Sequence, residues 1–132
     1  VHVALVPQRE AAELRAYYAL MDVFAHPSLR DGMPNAVLEA MACGLPCLVS
    51  SGAGTDRIIT EGVNGFLRDL DDEDGFADAL ARLFVQSDLR ERIGAAARRT
   101  IVELYSLKAI AARYMSLYQD LLGSRFQRGD VR

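Results

Sequence analysis

Two carboxylates in the segment HPSLRDGMPNAVLEAMACG, which spans His26 to Gly44, are the side chains whose type and spacing suggest chemistry. Asp31 precedes a glycine and a proline, and Glu39 follows eight positions later within a run of apolar residues. Burying a carboxylate is costly unless a hydrogen-bond donor satisfies it. Glu39 therefore either caps backbone or lies in water at a helix edge, or it accepts hydrogen bonds from ligand hydroxyls. Asp31 has its own structural alternative, because Asp ahead of Gly-x-Pro is a good N-cap or Asx-turn residue.

The residues around Glu39 predict a helix from Pro34 to about Cys43, with Gly44 as its C-terminal stop. Because nearly every face of this helix is apolar, we expect it, and Glu39 with it, to be largely buried. Its free N–H groups favour an anion, typically a phosphate. Hydroxyls on either side of a phosphate would give both Asp31 and Glu39 a partner. A sugar, a diphosphate and a ribose present the groups in that order.

The elements that must position this segment alternate between strands and helices. Short apolar runs predict strands at Val1–Val6 and in MDVFAHP, LPCLVS and GVNGFL. Helical spacing predicts a helix from Glu10 to Leu20, a short one in TDRIIT, and three C-terminal helices N-capped by Asp74, Ser87 and Ser106. This order predicts an α/β fold: a Rossmann-like parallel sheet flanked by helices, with ligands at the carboxyl ends of the strands.

The bulk composition fits one globular domain. The 132 residues are 51% hydrophobic and 25% charged, with a net charge of −3. No basic stripe is interleaved with aromatics, which argues against nucleic acid as a partner. We place the domain at residues 1–123 and a polar tail at 124–132. The abrupt, strand-like start without a methionine suggests a fragment of a longer protein.

Metal binding and disulfides are both disfavoured. Cys43 and Cys47 lack the spacing of a zinc half-site, and the run DLDDEDG places Asp74 and Leu80 where a calcium loop needs Gly and Glu. With no apolar run of about 18 residues and no recognisable secretory signal, we expect a cytoplasmic protein with two buried free thiols.

The central segment PSLRDGMPNAVLEAMACGLPCLVS resembles the donor-binding segment of the family 4 retaining glycosyltransferases, also called group 1 glycosyl transferases. Their hallmark is two acidic residues separated by seven, here Asp31 and Glu39. The likeness extends through ELRAYYALMDVFAHPS before it and GAGTDRIITEGVNGFL after it, so that it covers roughly Val1 to Leu122. The resemblance implies that the chain is part of the C-terminal, donor-binding domain of a two-domain GT-B enzyme, whose missing N-terminal domain is its natural partner.

The same resemblance implies roles for individual residues. Glu39 would accept hydrogen bonds from the ribose of a UDP-sugar or GDP-sugar, and Asp31 would contact hydroxyls of the transferred sugar. Backbone amides would line the rest of the donor site, and the residues after the first strand would lie near the nucleobase. The sugar would be lined by Gly32, Met33, Pro34 and Asn35, the diphosphate by Val37 and Leu38, and the base by Val6 to Gln8. His26 would contact the sugar or the acceptor, although a satisfied structural histidine is the favoured interpretation.

No metal or other cofactor is expected, and the expected acceptor is a saccharide, a lipid-linked group or a small molecule. The sequence departs from the family pattern in having Asp31 where Glu is usual and GAGTD where GGxPE is common, with Asp56 in the acidic place. The arginines at 90, 92, 98 and 99 suggest a solvated face, or else a docking face for the missing domain or for the inner surface of a membrane. Two alternatives stay open: a sugar-nucleotide epimerase on the same fold, and a degenerate module that binds nucleotide without transfer.

Overall fold

The computed structural model describes residues 4–7, 10–29, 32–52 and 54–128, except for the side chains of residues 11, 12 and 124–128. Its elements in chain order are α1 (Ala11–Leu20), β1 (Phe24–His26), α2 (Asn35–Ala42), β2 (Cys47–Ser50), a 3₁₀ turn (Thr55–Arg57), β3 (Phe66–Arg68), α3 (Glu73–Val85), α4 (Ser87–Thr100), a π-helical turn (Ile101–Tyr105) and α5 (Leu107–Arg128).

The three strands form one parallel sheet in the order β1-β2-β3. Their register pairs His26 with Val49, and Ser50 with Arg68, so the carboxyl ends of the strands share one edge of the sheet. The loop that leads to Asp31 leaves this edge directly after β1. The sheet therefore places the start of α2 where open α/β sheets bind ligands.

Strand β2 forms the centre of the core because its side chains alternate between the two faces of the sheet. Cys47 and Val49 pack with α1, α2 and the end of α4. Leu48 packs on the other side, with residues of β3, α3 and α4. Helices thus cover both faces, and all four residues of β2 are buried. The predicted class, a Rossmann-like α/β fold, is confirmed.

Helix α2 ends as predicted, at a glycine in the left-handed region. Gly44 has φ +82°, and its N–H donates to the Met41 carbonyl at 3.0 Å while Leu45 N–H donates to the Ala40 carbonyl at 3.1 Å. These two bonds are those of a Schellman motif. Helix α4 crosses closely here: a Cβ added at Gly94 would lie 2.0 Å from the Gly44 carbonyl oxygen. The glycine pair lets α2 and α4 approach at backbone distance.

The first predicted strand is wrong over the residues that can be compared. Ala4, Leu5 and Val6 have no regular secondary structure, and Leu5 is 95% exposed; Val1–Val3 lie outside the described residues. An apolar run becomes a strand only where a neighbouring strand satisfies its backbone N–H and C=O groups. The run itself does not reveal whether that neighbour exists.

Three helix boundaries also differ from prediction. Helix α3 is capped by Asp72, which accepts from Gly75 N–H at 2.9 Å, and not by Asp74. Helix α4 has Gln86 at its N-cap position, whereas Ser87 is already its first helical residue. Ser106 does cap α5, through a 3.2 Å bond from Ala109 N–H, but that helix continues past the predicted end at residue 123 to 128.

The two cysteines are free, as predicted, but only Cys47 is buried whereas Cys43 is exposed. Burial raises the pKa of the Cys47 thiol to about 12. Within the described part of the chain, no helix is both long and apolar enough to cross a membrane.

Candidate functional site

The loop between β1 and α2 is fixed to the sheet by one buried hydroxyl. Ser50, at the end of β2 and fully buried, accepts a hydrogen bond from Ser28 N–H at 3.0 Å and donates to the Ser28 carbonyl. The Ser50 carbonyl in turn accepts from the Thr55 hydroxyl at 2.9 Å. Because Ser28 lies three positions before Asp31, the acidic loop begins from a fixed point at the carboxyl edge of the sheet.

The predicted sugar-lining residues form one continuous turn at the start of α2. Gly32, Met33 and Asn35 are exposed, whereas Pro34 is buried and occupies the N-cap position. A Cβ added at Gly32 would meet no heavy atom of the described residues within 4 Å, so these residues leave the space beside this backbone open. Asp31 lies outside the described residues, and its position relative to this turn stays a prediction.

Both backbone amides predicted to line the diphosphate are already hydrogen-bonded within α2. Val37 and Leu38 N–H both donate to the Pro34 carbonyl, at 3.1 and 3.3 Å. The first two amides of α2, those of Asn35 and Ala36, make no hydrogen bond to any described residue, as expected for the first turn of a helix. The amide groups available to an anion are therefore those of Asn35 and Ala36, two residues ahead of the predicted pair.

Glu39 is exposed, and the prediction that it is largely buried is wrong. Helix α2 is amphipathic: Val37, Ala40 and Met41 face the core, each 0% exposed, while the Glu39 face is open to solvent. Alanine and leucine at half-buried positions made the helix look apolar on every side. Only one face of this helix is buried, and Glu39 lies on the other face.

The protein itself supplies a hydroxyl partner for Glu39. The Tyr18 phenol, from α1, donates to Glu39 Oε2 at 3.1 Å. Tyr18 is 7% exposed, and its ring meets Phe24 edge to face, with centroids 5.9 Å apart. Burial is the largest cause, and the hydrogen bond to Glu39 the second, of a pKa of Tyr18 that is raised to about 12. The sequence had shown Tyr18 only as an apolar helical position, because its partner is 21 positions away.

A surface cavity of about 280 Å³ opens between α1 and α2 at this contact. Its lining combines the Glu39 carboxylate, the Arg15 guanidinium, the exposed Cys43 thiol and apolar surface; the residues are Leu14, Arg15, Tyr18, Glu39, Ala42 and Cys43. Pockets that enclose whole small ligands are usually about 300–1,000 Å³. At about 280 Å³ this cavity is slightly smaller than that range, so it suits part of a ligand.

His26, Val6 and Gln8 are the remaining residues predicted for the donor site. The half-buried His26 ring lies parallel to that of Phe24, with centroids 6.2 Å apart. Val6 is 51% exposed, and no hydrogen bond of a described residue joins it to α2. Gln8 lies outside the described residues. Donor contacts for these three residues stay predictions.

The acidic residue of the glycine-rich turn has a structural role. Asp56 accepts from Gly52 N–H at 2.9 Å, which closes the turn between β2 and the 3₁₀ segment. Gly52 and Gly54 both have positive φ, at 77° and 72°, a conformation that glycine adopts without strain.

Three of the four arginines singled out in the sequence bind helix and turn carbonyls. Arg90 donates to the Leu83 and Phe84 carbonyls, at 2.7 and 2.9 Å, Arg92 donates to the Gly62 carbonyl at 3.4 Å, and Arg98 donates to the carbonyl of Ala42. The Arg90 and Arg98 contacts stabilise the ends of α3 and α2, since cations are favourable at helix C-termini. In the described residues, no group of three or more His, Cys, Asp or Glu side chains is arranged to hold a metal ion.

The fold and the open start of α2 beside Glu39 define a Rossmann-like α/β domain with its candidate site at the carboxyl edge of the sheet. A family model described as "Glycosyl transferases group 1" matches residues 2–86, more than half of the chain. The chain belongs to the group 1 glycosyl transferases.

Individual relatives agree with this assignment. The UDP-Gal:alpha-D-GlcNAc-diphosphoundecaprenol alpha-1,3-galactosyltransferase of Escherichia coli is 36% identical over 101 residues, 76% of this chain and 26% of that protein. The N-acetyl-alpha-D-glucosaminyl L-malate synthase of Bacillus anthracis is 31% identical over 115 residues, 87% of this chain and 29% of that protein. The sucrose-phosphate synthase structure from Thermosynechococcus elongatus matches 90% of this chain and 30% of its own, with a TM-score of 0.80 and 27% identity.

The chain spans less than a third of the length of each of these relatives. Its likeness to the C-terminal domain of a GT-B glycosyltransferase, indicated by the central acidic segment, is confirmed.

Proposed function

We propose that the full-length protein transfers a sugar from a nucleotide-diphosphate sugar to an acceptor hydroxyl with retention of configuration, and that this chain is part of its donor-binding domain. The observation that carries the proposal is the exposed Glu39 carboxylate on α2, the helix whose first two amides have no described partner. An anion binds favourably at such a helix start because N–H groups and the helix dipole act together. A carboxylate one turn further along the helix can accept hydrogen bonds from hydroxyl groups, whereas it would repel the anion itself.

In this arrangement the donor lies across the start of α2. Glu39 accepts hydrogen bonds from the ribose hydroxyls, while the amides of Asn35 and Ala36 face the diphosphate. Asp31, the usual partner acid of the family, contacts the transferred sugar beside the open backbone at Gly32 and Met33. His26 at the end of β1 faces the sugar or the acceptor, and the nucleobase lies toward Val6 and Gln8.

The chemistry we propose needs no metal from these residues. Helix amides and the helix dipole stabilise the charge that develops on the leaving diphosphate. The leaving phosphate assists the acceptor hydroxyl, so the protein supplies no general base. Closure of a second domain excludes water and brings the acceptor to the donor. Without that domain the chain alone is inactive, and the whole enzyme acts in the cytoplasm or at the inner face of the membrane.

A test uses Glu39→Gln in the full-length protein, because this change keeps the shape of the side chain and removes its charge. Titration calorimetry with UDP, GDP and their sugar conjugates should show one preferred nucleotide in the wild type. The variant should bind it about 10- to 100-fold more weakly, the usual effect of losing hydrogen bonds to a charged group. Turnover should fall at least as much.

Glu103→Gln is the matched control, because Glu103 is exposed on the π-helical turn, outside α1, α2 and the cavity between them. It should bind and turn over like the wild type. The donor-site proposal is refuted if no nucleotide diphosphate binds the wild type, or if Glu39→Gln binds as tightly as the control. Binding without transfer would instead identify a degenerate module, and interconversion of the sugar without an acceptor would identify an epimerase.

A further inference from the structure

We infer that Tyr18 is a positioning residue for the donor site: its phenol holds one oxygen of Glu39, so that the other oxygen is presented to the ribose hydroxyls. The inference rests on the proposed function, because it assigns to Tyr18 an effect on donor binding that acts through Glu39. Tyr18 itself is not proposed to touch the donor.

The phenol is placed by the core and not by the site. Tyr18 belongs to the buried cluster that includes Val37 and Met41 of α2, and its ring packs edge to face on Phe24 of β1. Only its hydroxyl reaches Glu39, with Tyr18 Oη and Glu39 Oε2 3.1 Å apart. The donor of this hydrogen bond is therefore held in place by core packing, whereas its acceptor is on an exposed side chain.

A single fixed donor has a large effect on such a side chain. An exposed glutamate samples several rotamers, and ordering it costs conformational entropy. A hydrogen bond to a carboxylate is among the stronger ones available to a neutral donor. It selects the rotamers in which Oε2 faces α1 and leaves Oε1 with free lone pairs. Ribose hydroxyls then meet a carboxylate whose orientation is already set.

The neighbouring groups support this assignment to Tyr18. Arg15 lines the same cavity, but it forms no ion pair with Glu39, so within the described residues the phenol is the side-chain partner that the carboxylate has. The raised pKa of Tyr18 keeps the phenol protonated at neutral pH. Tyr18 therefore acts as the hydrogen-bond donor to Glu39 at neutral pH.

The test is a double-mutant cycle in the full-length protein with Tyr18→Phe and Glu39→Ala, because the amide oxygen of a glutamine would still accept the hydrogen bond of the phenol. Tyr18→Phe keeps the ring and its contact with Phe24 but removes the hydroxyl. We expect it to raise the donor KM and the calorimetric Kd of the nucleotide about 5- to 20-fold, with kcat changed less than about twofold. In the Glu39→Ala background the same change should have less than a twofold effect, because no side-chain oxygen is left for the phenol to orient.

Tyr105→Phe is the matched control for losing one phenol hydrogen bond. The Tyr105 hydroxyl donates to the Arg57 carbonyl, also at 3.1 Å, and lies outside the cavity. Donor KM should not change in this variant. Thermal unfolding of every variant is measured, and all assays are run well below the lowest midpoint, so that loss of folded protein does not enter the comparison.

The possible outcomes distinguish the positioning role of Tyr18 from the proposed donor-binding role of Glu39. If Glu39→Gln weakens donor binding but Tyr18→Phe does not, the positioning role is wrong and the donor site stands. If Tyr18→Phe has the same effect with and without Glu39, its role is structural, and the inference is again overturned. If Glu39→Gln has no effect, the proposed function fails, and the inference fails with it.

Discussion

Replacing Ser50 by alanine should release the loop that leads into the donor segment. The hydroxyl makes two hydrogen bonds to the backbone of Ser28, one as acceptor and one as donor. Each is worth about 1 kcal/mol, and water reaches half-buried Ser28 well enough to limit the further penalty, so we expect a loss of about 2 kcal/mol. Since 1.4 kcal/mol is a factor of ten, the Ser28 amide should exchange about 30-fold faster with solvent deuterium.

Hydrogen exchange of the full-length protein, followed by mass spectrometry on peptides that contain β1 and Ser28, measures this effect locally. Ser51→Ala is the control, because the Ser51 hydroxyl bonds the exposed Asp69 carboxylate and does not contact the loop. Its peptides from β1 should exchange as in the wild type. If Ser50→Ala leaves the Ser28 amide equally protected, the hydroxyl does not anchor the loop and our reasoning about it is wrong.

Two further substitutions test the framework around the site by urea unfolding of the full-length protein. Gly94→Ala should destabilise by about 2–4 kcal/mol, because its Cβ would lie 2.0 Å from a backbone carbonyl oxygen at the end of α2. Gly123→Ala, whose Cβ would meet nothing within 4 Å, should be neutral or stabilising, and equal effects of the two would contradict the close crossing. Asp72→Ala should cost about 1 kcal/mol as the loss of a helix cap, whereas Asp74→Ala should cost clearly less; the reverse order would restore the cap predicted from sequence.

Residues with strong local backbone preferences made part of the fold predictable. The bounds of α2 follow from Pro34 and Gly44, whose backbone preferences act over one or two residues and need no tertiary information. Strands β1 and β2 follow from short apolar runs between turn residues. Helix caps were less predictable, because several acidic residues precede α3 in the sequence. The direction in which the chain enters the helix decides that Asp72 is the one that caps it.

The environment of Glu39 could not be predicted, because it depends on contacts between distant segments. Its exposure is set by which face of α2 meets the sheet, and its partner, Tyr18, lies on another helix. The strand expected at Val1–Val6 was wrong over its second half for a related reason: strand formation requires a neighbour that no local pattern specifies. Sequence located the acid, and packing determined what surrounds it.

The close contact between Gly44 and Gly94 also bears on how the donor segment tolerates insertions and deletions. Because the end of α2 meets α4 backbone to backbone, the helix cannot slide along its axis to absorb a change in length. One added residue would turn everything before it by about 100° and move it about 1.5 Å, which would carry Glu39 away from Tyr18. The distance in sequence from Glu39 to Gly44 is thus set by a helix crossing, and length variation in this segment should be confined to the loop before Pro34.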